Sequence, residues 1–278
     1  IRITQSWDTC TIGGSSEIVF ASIYNGRDIL PLFLIGNIDF IRSVAWRQMR
    51  KKRKKVGKCG TGELGIKGLF EKIEREARSF FRTARGSHDW DHTKRVYGLC
   101  LRIGRKENAN LDVLKLAALL HDIGRADEDR SNGRLCHGAR GAKLSKKILE
   151  KNGVEKETIV RVVHCIETHR FRRNRSPASL EAKILFDADK LDSIGAVGVG
   201  RAFLFAGEVG ARLHDPEVDV AATRAYSRED TAYREYLVKL RRIKGRMFTR
   251  EGRRIARERH HFMEEFFRRL NKETRGVL

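Results

Sequence analysis

The chain has 278 residues, 58 of them Lys or Arg against 36 Asp or Glu, giving a net charge of +22 and a pI near 10.2. A chain of this length holds one substantial core with additions, and a surface this basic attracts phosphate-bearing partners. The five cysteines, Cys10, Cys59, Cys100, Cys136 and Cys165, are odd in number and form no C-x-x-C pair, which argues against a secreted disulfide framework and fits a reducing cytoplasm.

Residues 1 to 48 carry four arginines, four acidic residues and no lysine, so the whole positive excess belongs to residues 49 to 278. Glutamine also stops at Gln48, and the Lys-, Arg- and Glu-rich remainder resembles a heat-adapted composition. With Ile1 in place of Met, these features set residues 1 to 48 apart as an extension expected to be foreign to the native product or poorly ordered. The apolar stretch Ile29 to Ile41 is broken by Asn37 and Asp39 and is shorter than the roughly 18 residues a membrane span needs. The basic run MRKKRKK (Met49 to Lys55) follows that stretch, the reverse of a secretory signal, and residues 49 to 65 are expected to be a basic linker.

From Ile66 onward apolar residues recur at helical spacing, as in Ile66, Leu69, Phe70, Ile73, Ala77, Phe80 and Phe81. A second helix is expected from His92 to Lys106, and a third from an Asp112 cap to Asp122, with Gly124 as its stop. Others are expected at about 138 to 151, 156 to 168, 180 to 193, 196 to 212, 229 to 247 and 250 to 271. Strand-like alternation is nearly absent and Pro31, Pro177 and Pro216 fall in or beside expected loops, so the predicted class is all-α.

The residues that carry chemistry occur in the middle of the chain, in SHDWDH (Ser87 to His92), LLHDIGR (Leu119 to Arg125), CHGARGA (Cys136 to Ala142), HCIETH (His164 to His169) and FDADKLD (Phe186 to Asp192). Imidazoles and carboxylates from several helices meeting at one end of a bundle make a site for divalent metals. Any one histidine is more simply a packed or surface residue. The adjacent pair His121 and Asp122 says more, because it ends the apolar helix VLKLAALL, where two polar side chains are costly unless bonded or metal-bound.

The order of these motifs, a His, then a His-Asp doublet, then a distant Asp, resembles the HD-domain superfamily of phosphohydrolases over roughly Ser87 to Gly200. It is most similar to stand-alone bacterial and archaeal members, with Asp89, His92, Arg95 and Val96 matching D-x-x-H-x-x-R-V and Asp187 to Asp192 matching D-A-D-[KR]-L-D. The resemblance implies a helical HD domain over 66 to 215, with residues 216 to 278 as further helices packed on it. It implies His92, His121, Asp122 and Asp189 as primary metal ligands, with Asp187 the competitor for the last place and Asp192 a supporting partner. Helical angles put Asp187 and Asp189 at opposite margins of one apolar face and do not choose between them. His137 and His169 match two further histidines of those HD families that bind two metals bridged by the doublet Asp, with His164 an alternative to His169. The implied cofactor is one or two divalent ions, among Fe, Mn, Co, Ni, Zn or Mg.

The implied reaction is attack of metal-activated water on a phosphomonoester or phosphodiester of nucleotide-like kind. Lys94, Arg95, Arg125 and Lys190 are candidate phosphate clamps, Asp127 or Glu128 a candidate proton donor, and His88 and Asp89 candidate substrate or supporting residues. A G-Y-P segment is missing, as are the acidic positions that follow the doublet in small deoxynucleotidases, where Arg125 and Arg130 stand instead. These departures set both subfamilies aside, together with guanosine tetraphosphate hydrolases. The alternative function is a nucleic-acid-binding protein or nuclease on the same fold, resting on MRKKRKK, RFRRNR (Arg170 to Arg175) and the basic runs between Arg241 and Arg259. The doublet His214 and Asp215 precedes Pro216 and reads as a loop, His260 and His261 read as surface residues, and GAVGVG (Gly195 to Gly200) reads as a close helix-packing segment. A mixed thiolate site using Cys136 or Cys165 is the less simple reading; both are expected to be packed thiols.

Overall fold

The computed structural model describes residues 9–11, 17–24 and 29–35 by backbone alone, and residues 66–82, 89–131, 133–170 and 176–278. The expectations for His88, for MRKKRKK and for most of RFRRNR fall outside the described residues. The chain divides into two units, Ile1–Glu63 and Leu64–Leu278.

The first unit holds an antiparallel sheet in the order β1 (Thr9–Thr11), β2 (Glu17–Tyr24), β3 (Ile29–Ile35), with Val19 opposite both Thr9 and Leu34. This corrects the expectation that strands are nearly absent. Short runs such as EIVFASIY and ILPLFLI are rich in β-branched and aromatic residues, but runs this short are not separable from helix by periodicity. Pro31 lies within β3 and not in a loop, a position tolerated because β3 is an edge strand.

The second unit is all-helical. It runs α1 (Ile66–Ser79), α2 (Trp90–Lys106), α3 (Leu111–Leu120), α4 (Arg125–Arg130), α5 (His137–Lys151), α6 (Lys156–Thr168), α7 (Leu180–Leu191), α8 (Gly195–Glu208), α9 (Ala232–Val238), a 3-10 helix (Leu240–Arg246) and α10 (Arg250–Glu273). At the centre is α3, LDVLKLAALL, buried nearly all round because it has almost no polar face. Around it pack α1, α2, α6 and α7. Its cap is Asn110, whose side chain accepts from Asp112 and Val113 N–H, and not Asp112, which lies in the first turn paired with Lys115.

Two further boundaries move. The expected helix 229 to 247 is interrupted at Lys239, where φ −130° and ψ −56° leave the helical region, giving α9 and a separate 3-10 segment. The expected helix 196 to 212 ends at Glu208, with Gly210 at φ +65° just beyond. The C-terminal helix α10 packs on α7, α8 and α2 and is fastened by Asp187, which accepts from Phe248 N–H (2.9 Å), Thr249 N–H (2.8 Å) and the Thr249 hydroxyl (2.6 Å) at its N-terminus. His260 is buried on this helix against Glu264, which corrects its surface assignment; His261 is exposed as expected. Among the described residues no helix is long and apolar enough to cross a membrane.

Candidate metal centre

Asp89 caps α2 by accepting from His92 N–H at 2.8 Å, and this fixes His92 in the first turn, facing inward. Its Nδ1 donates to Asp192 Oδ2 at 2.7 Å, so Nε2 points the other way, toward His121 Nε2 at 3.3 Å and Asp189 Oδ1 at 3.4 Å. His121 follows the last residue of α3, and its Nδ1 donates to the Ala118 carbonyl at 2.8 Å. Lys190 Nζ donates to Asp189 Oδ2 at 2.7 Å, leaving Oδ1 for the cluster.

A second group faces the first. His137 opens α5 and His169 follows the end of α6, their Nε2 atoms 3.1 Å apart. The Nδ1 of His137 donates to Glu128 and that of His169 to the Ile166 carbonyl. Gly124 makes this meeting possible. A Cβ there would sit 2.5 Å from His137 O and 2.6 Å from Gly141 N, so the turn after the doublet and the start of α5 approach closer than side chains allow.

Asp122 stands between the groups. Its Oδ1 lies 3.2 Å from His137 Nε2 and 3.7 Å from His169 Nε2, while Oδ2 lies 3.7 Å from the Nε2 atoms of both His92 and His121. Within His92, His121 and Asp189, and within Asp122, His137 and His169, one ligand atom per residue lies within 4.8 Å of the others. The donor set fits divalent metal. Because four Nδ1 atoms are committed outward to acceptors, four Nε2 lone pairs converge on carboxylate oxygens in a buried space, an arrangement that a cation relieves.

Burial holds His121 and His137 neutral, with pKa values pushed down to about 4 and about 3. For His92 burial acts the same way, but the carboxylates of Asp189 and Asp192 outweigh it and raise the pKa to about 9. Asp189 is partly buried, which raises its carboxyl, yet Lys190 and His92 hold it well below the usual range.

Around the two groups the other candidates fall into place. Asp192 accepts from His92, from Arg95 (2.7 and 3.1 Å) and from Arg201 (2.8 Å); Arg201 lines the cavity beside the cluster, whereas Arg95 is not among its lining residues. Lys94 points to the opposite face of α2, exposed and paired with Asp91, and takes no part. Asp187 is turned away to α10. His164 accepts from Ala178 N–H at 3.2 Å and faces away from the cluster, unlike His169. Glu128 receives His137, Arg125 and Arg170 and, despite its burial, is held at a pKa of about 2; Asp127, bonded to Arg140 and Arg130, is also lowered. These partners favour the ionised form of both carboxyls, which runs against their expected role as proton donors. Arg170 and Arg201 were not legible as site residues, the first hidden in a basic run and the second 109 residues from the histidine it approaches.

Beside Asp122 opens a cavity of about 640 Å³. The near end is lined by Asp122, Arg125, Ser193 and Arg201, and α8 continues the wall through Gly198 and Ala202 to Phe205, facing Tyr226 and Lys239.

The HD domain family matches residues 89–194. YpgQ of Bacillus subtilis is 37% identical over 215 residues, 74% of this chain and 94% of that protein. A crystal structure of YpgQ in complex with ADP superposes with a TM-score of 0.57, covering 74% of this chain and 94% of that one at 35% identity. An HD-superfamily hydrolase from Bacillus thuringiensis gives 0.60 at 28% identity, covering 75% and 98%. Ribonuclease Y of Geotalea uraniireducens is 27% identical over 157 residues, 56% of this chain but 28% of that protein. The ordered His, His-Asp and Asp positions, the helical fold and the 37% identity over 94% of YpgQ place the chain in the HD-domain superfamily, as a YpgQ-like HD hydrolase.

Proposed function

We propose that this hydrolase acts on phosphate esters of nucleotides and uses two divalent ions bridged by Asp122, one held with His92, His121 and Asp189 and the other with His137 and His169. One observation carries the reading: Asp122 presents a different oxygen to each of two imidazole pairs. Imidazole with carboxylate suits Mn, Fe, Co, Ni or Zn better than Mg. Bound ions of this kind supply an ionisable water near neutral pH and charge neutralisation at phosphorus.

The chain's own groups then bind and orient. Arg125, its Nη2 3.7 Å from Asp122 Oδ2, and Arg201 both line the cavity where it meets the cluster, and their guanidinium groups fix phosphoryl oxygens there. The ADP held by the YpgQ crystal structure supports a nucleoside phosphate as the class of substrate here.

A second reading, a nuclease, is favoured by the 3-10 segment. Arg241, Arg242, Lys244 and Arg246 are exposed there and form no salt bridge among the described residues, and Lys239 just before them lines the cavity. The test is metal analysis of protein purified without chelator, with turnover of nucleoside mono-, di- and triphosphates, p-nitrophenyl phosphodiesters and oligonucleotides by wild type and Asp122→Ala. Joint loss of metal and nucleotide turnover in the variant supports the first reading. Turnover confined to oligonucleotides, with binding that falls steeply with salt, supports the second, and a metal-free, inactive wild type overturns both.

A further inference from the structure

One element of the cavity wall is built at a cost that the metal cluster does not explain. Tyr226 has φ +58°, the left-handed region that a bulky side chain rarely adopts, yet its ring is 80% exposed. A strained residue that gains little burial needs a brace, and a buried ion pair supplies it. Asp230 Oδ2 accepts from Tyr226 N–H at 2.7 Å and Asp230 Oδ1 accepts from Arg234 Nη1 at 2.8 Å. Arg234 also donates to the hydroxyl and carbonyl oxygens of Thr223 at 2.7 and 2.9 Å, so the turn from Thr223 to Asp230 is clamped at both ends. Both charged side chains are almost fully buried.

The clamp presents the Tyr226 ring edge-to-face with Phe205, centroids 5.5 Å apart, and both rings line the cavity. Along α8 the wall then has two chemistries. Arg201, bonded to Asp192, marks the end beside the metal cluster, and Phe205, one turn further, marks the aromatic end. From Arg201 to Phe205 the helix advances about 6 Å, the scale of the sugar that separates a nucleobase from its first phosphate. The small side chain of Ala202 leaves room between the ends, and Gly198 also lines the cavity.

We infer that Tyr226, held by the Asp230–Arg234 clamp and backed by Phe205, is the platform on which the nucleobase of the substrate stacks, so that it determines specificity for nucleotides over inorganic polyphosphates. The inference rests on the nucleotide reading above, and the two are separable by probe. With Mn(II) present, ADP and inorganic pyrophosphate are titrated by calorimetry against wild type, Tyr226→Ala and Tyr226→Phe. Because the ring is exposed, Tyr226→Ala is expected to keep its melting temperature while its Kd for ADP rises on the order of ten-fold. Tyr226→Phe is expected to bind ADP as wild type does, and pyrophosphate to bind all three alike. Equal weakening of ADP and pyrophosphate, or unchanged ADP binding by Tyr226→Ala, overturns the inference while leaving the nucleotide reading intact. A wild type that binds pyrophosphate but not ADP overturns both.

Discussion

The two halves of the metal cluster are built on one plan with one difference. In each, one imidazole donates to a carboxylate, His92 to Asp192 and His137 to Glu128, and the other to a carbonyl three residues earlier, His121 to Ala118 and His169 to Ile166. Each carboxylate is in turn bonded by two arginines, Asp192 by Arg95 and Arg201, Glu128 by Arg125 and Arg170. The arginines keep both carboxylates ionised, and so keep the imidazole protons on Nδ1. The difference is Asp189, an anionic donor that the second half lacks. On the two-ion reading proposed above, two carboxylates against one shared oxygen would make the first half the tighter site.

Removing the shared group breaks the comparison most severely. Asp122→Ala is expected to lower turnover on the order of a thousand-fold or more and to leave less than one metal per chain, since both ions lose a ligand. His169→Ala is expected to spare the first ion, giving about one metal per chain, whereas Asp189→Ala removes the feature that sets the halves apart. Inductively coupled plasma analysis reads all three. Equal metal content in His169→Ala and Asp189→Ala would show that the halves do not differ.

The supporting carboxylates sharpen the same contrast at smaller magnitude. Asp192→Asn and Glu128→Gln each remove an acceptor that fixes an imidazole, and each is expected to weaken its own ion by about 10- to 100-fold. Metal titration against a competing chelator should show Asp192→Asn acting on the tighter ion and Glu128→Gln on the weaker one.

How much of this the chain announces depends on how local the cause is. His92, His121, Asp122, His137, His169 and Asp189 lie near helix ends within short motifs, and those positions are legible because the order of the motifs resembles the HD-domain pattern; spacing and apolar context alone single out only the His121–Asp122 doublet. The arginines that tune them arrive by tertiary packing, Arg201 from the helix after Asp192 and Arg170 from a basic run, and no periodicity marks them. Asn110 replaces Asp112 as a cap because two capping residues stand two apart and the main chain chooses between them. The choice between Asp187 and Asp189 lies beyond α7 altogether: Asp187 is consumed by Phe248 and Thr249, some sixty residues away.

That division of labour on one helix gives a prediction of a different kind. Asp187→Ala removes the acceptor of the buried Thr249 N–H and hydroxyl at the start of α10, and is expected to cost about 1–3 kcal/mol. A fall in melting temperature of about 3–10 °C is expected for a unit of this size, with the metal content of the folded protein unchanged. Loss of metal in folded Asp187→Ala would instead bring this carboxylate into the cluster.

The smallest effect concerns the thiols beside the second half. Cys165 precedes His169 by one turn and Cys136 precedes His137, yet neither belongs to a group able to hold an ion among the described residues. Burial pushes the Cys165 thiol up to about 12 and Cys100 well above its ordinary value. At pH 8 a thiol of pKa about 12 is ionised about once in ten thousand, so native Cys100 and Cys165 should resist iodoacetamide while half-buried Cys136 is labelled before either of them, as peptide mapping would show. Because a coordinating thiolate is protected by its metal and freed by chelation, adding a chelator separates the possibilities: Cys165 labelling that rises on metal removal without unfolding would make the second half a thiolate site, and the symmetry between the halves would be lost.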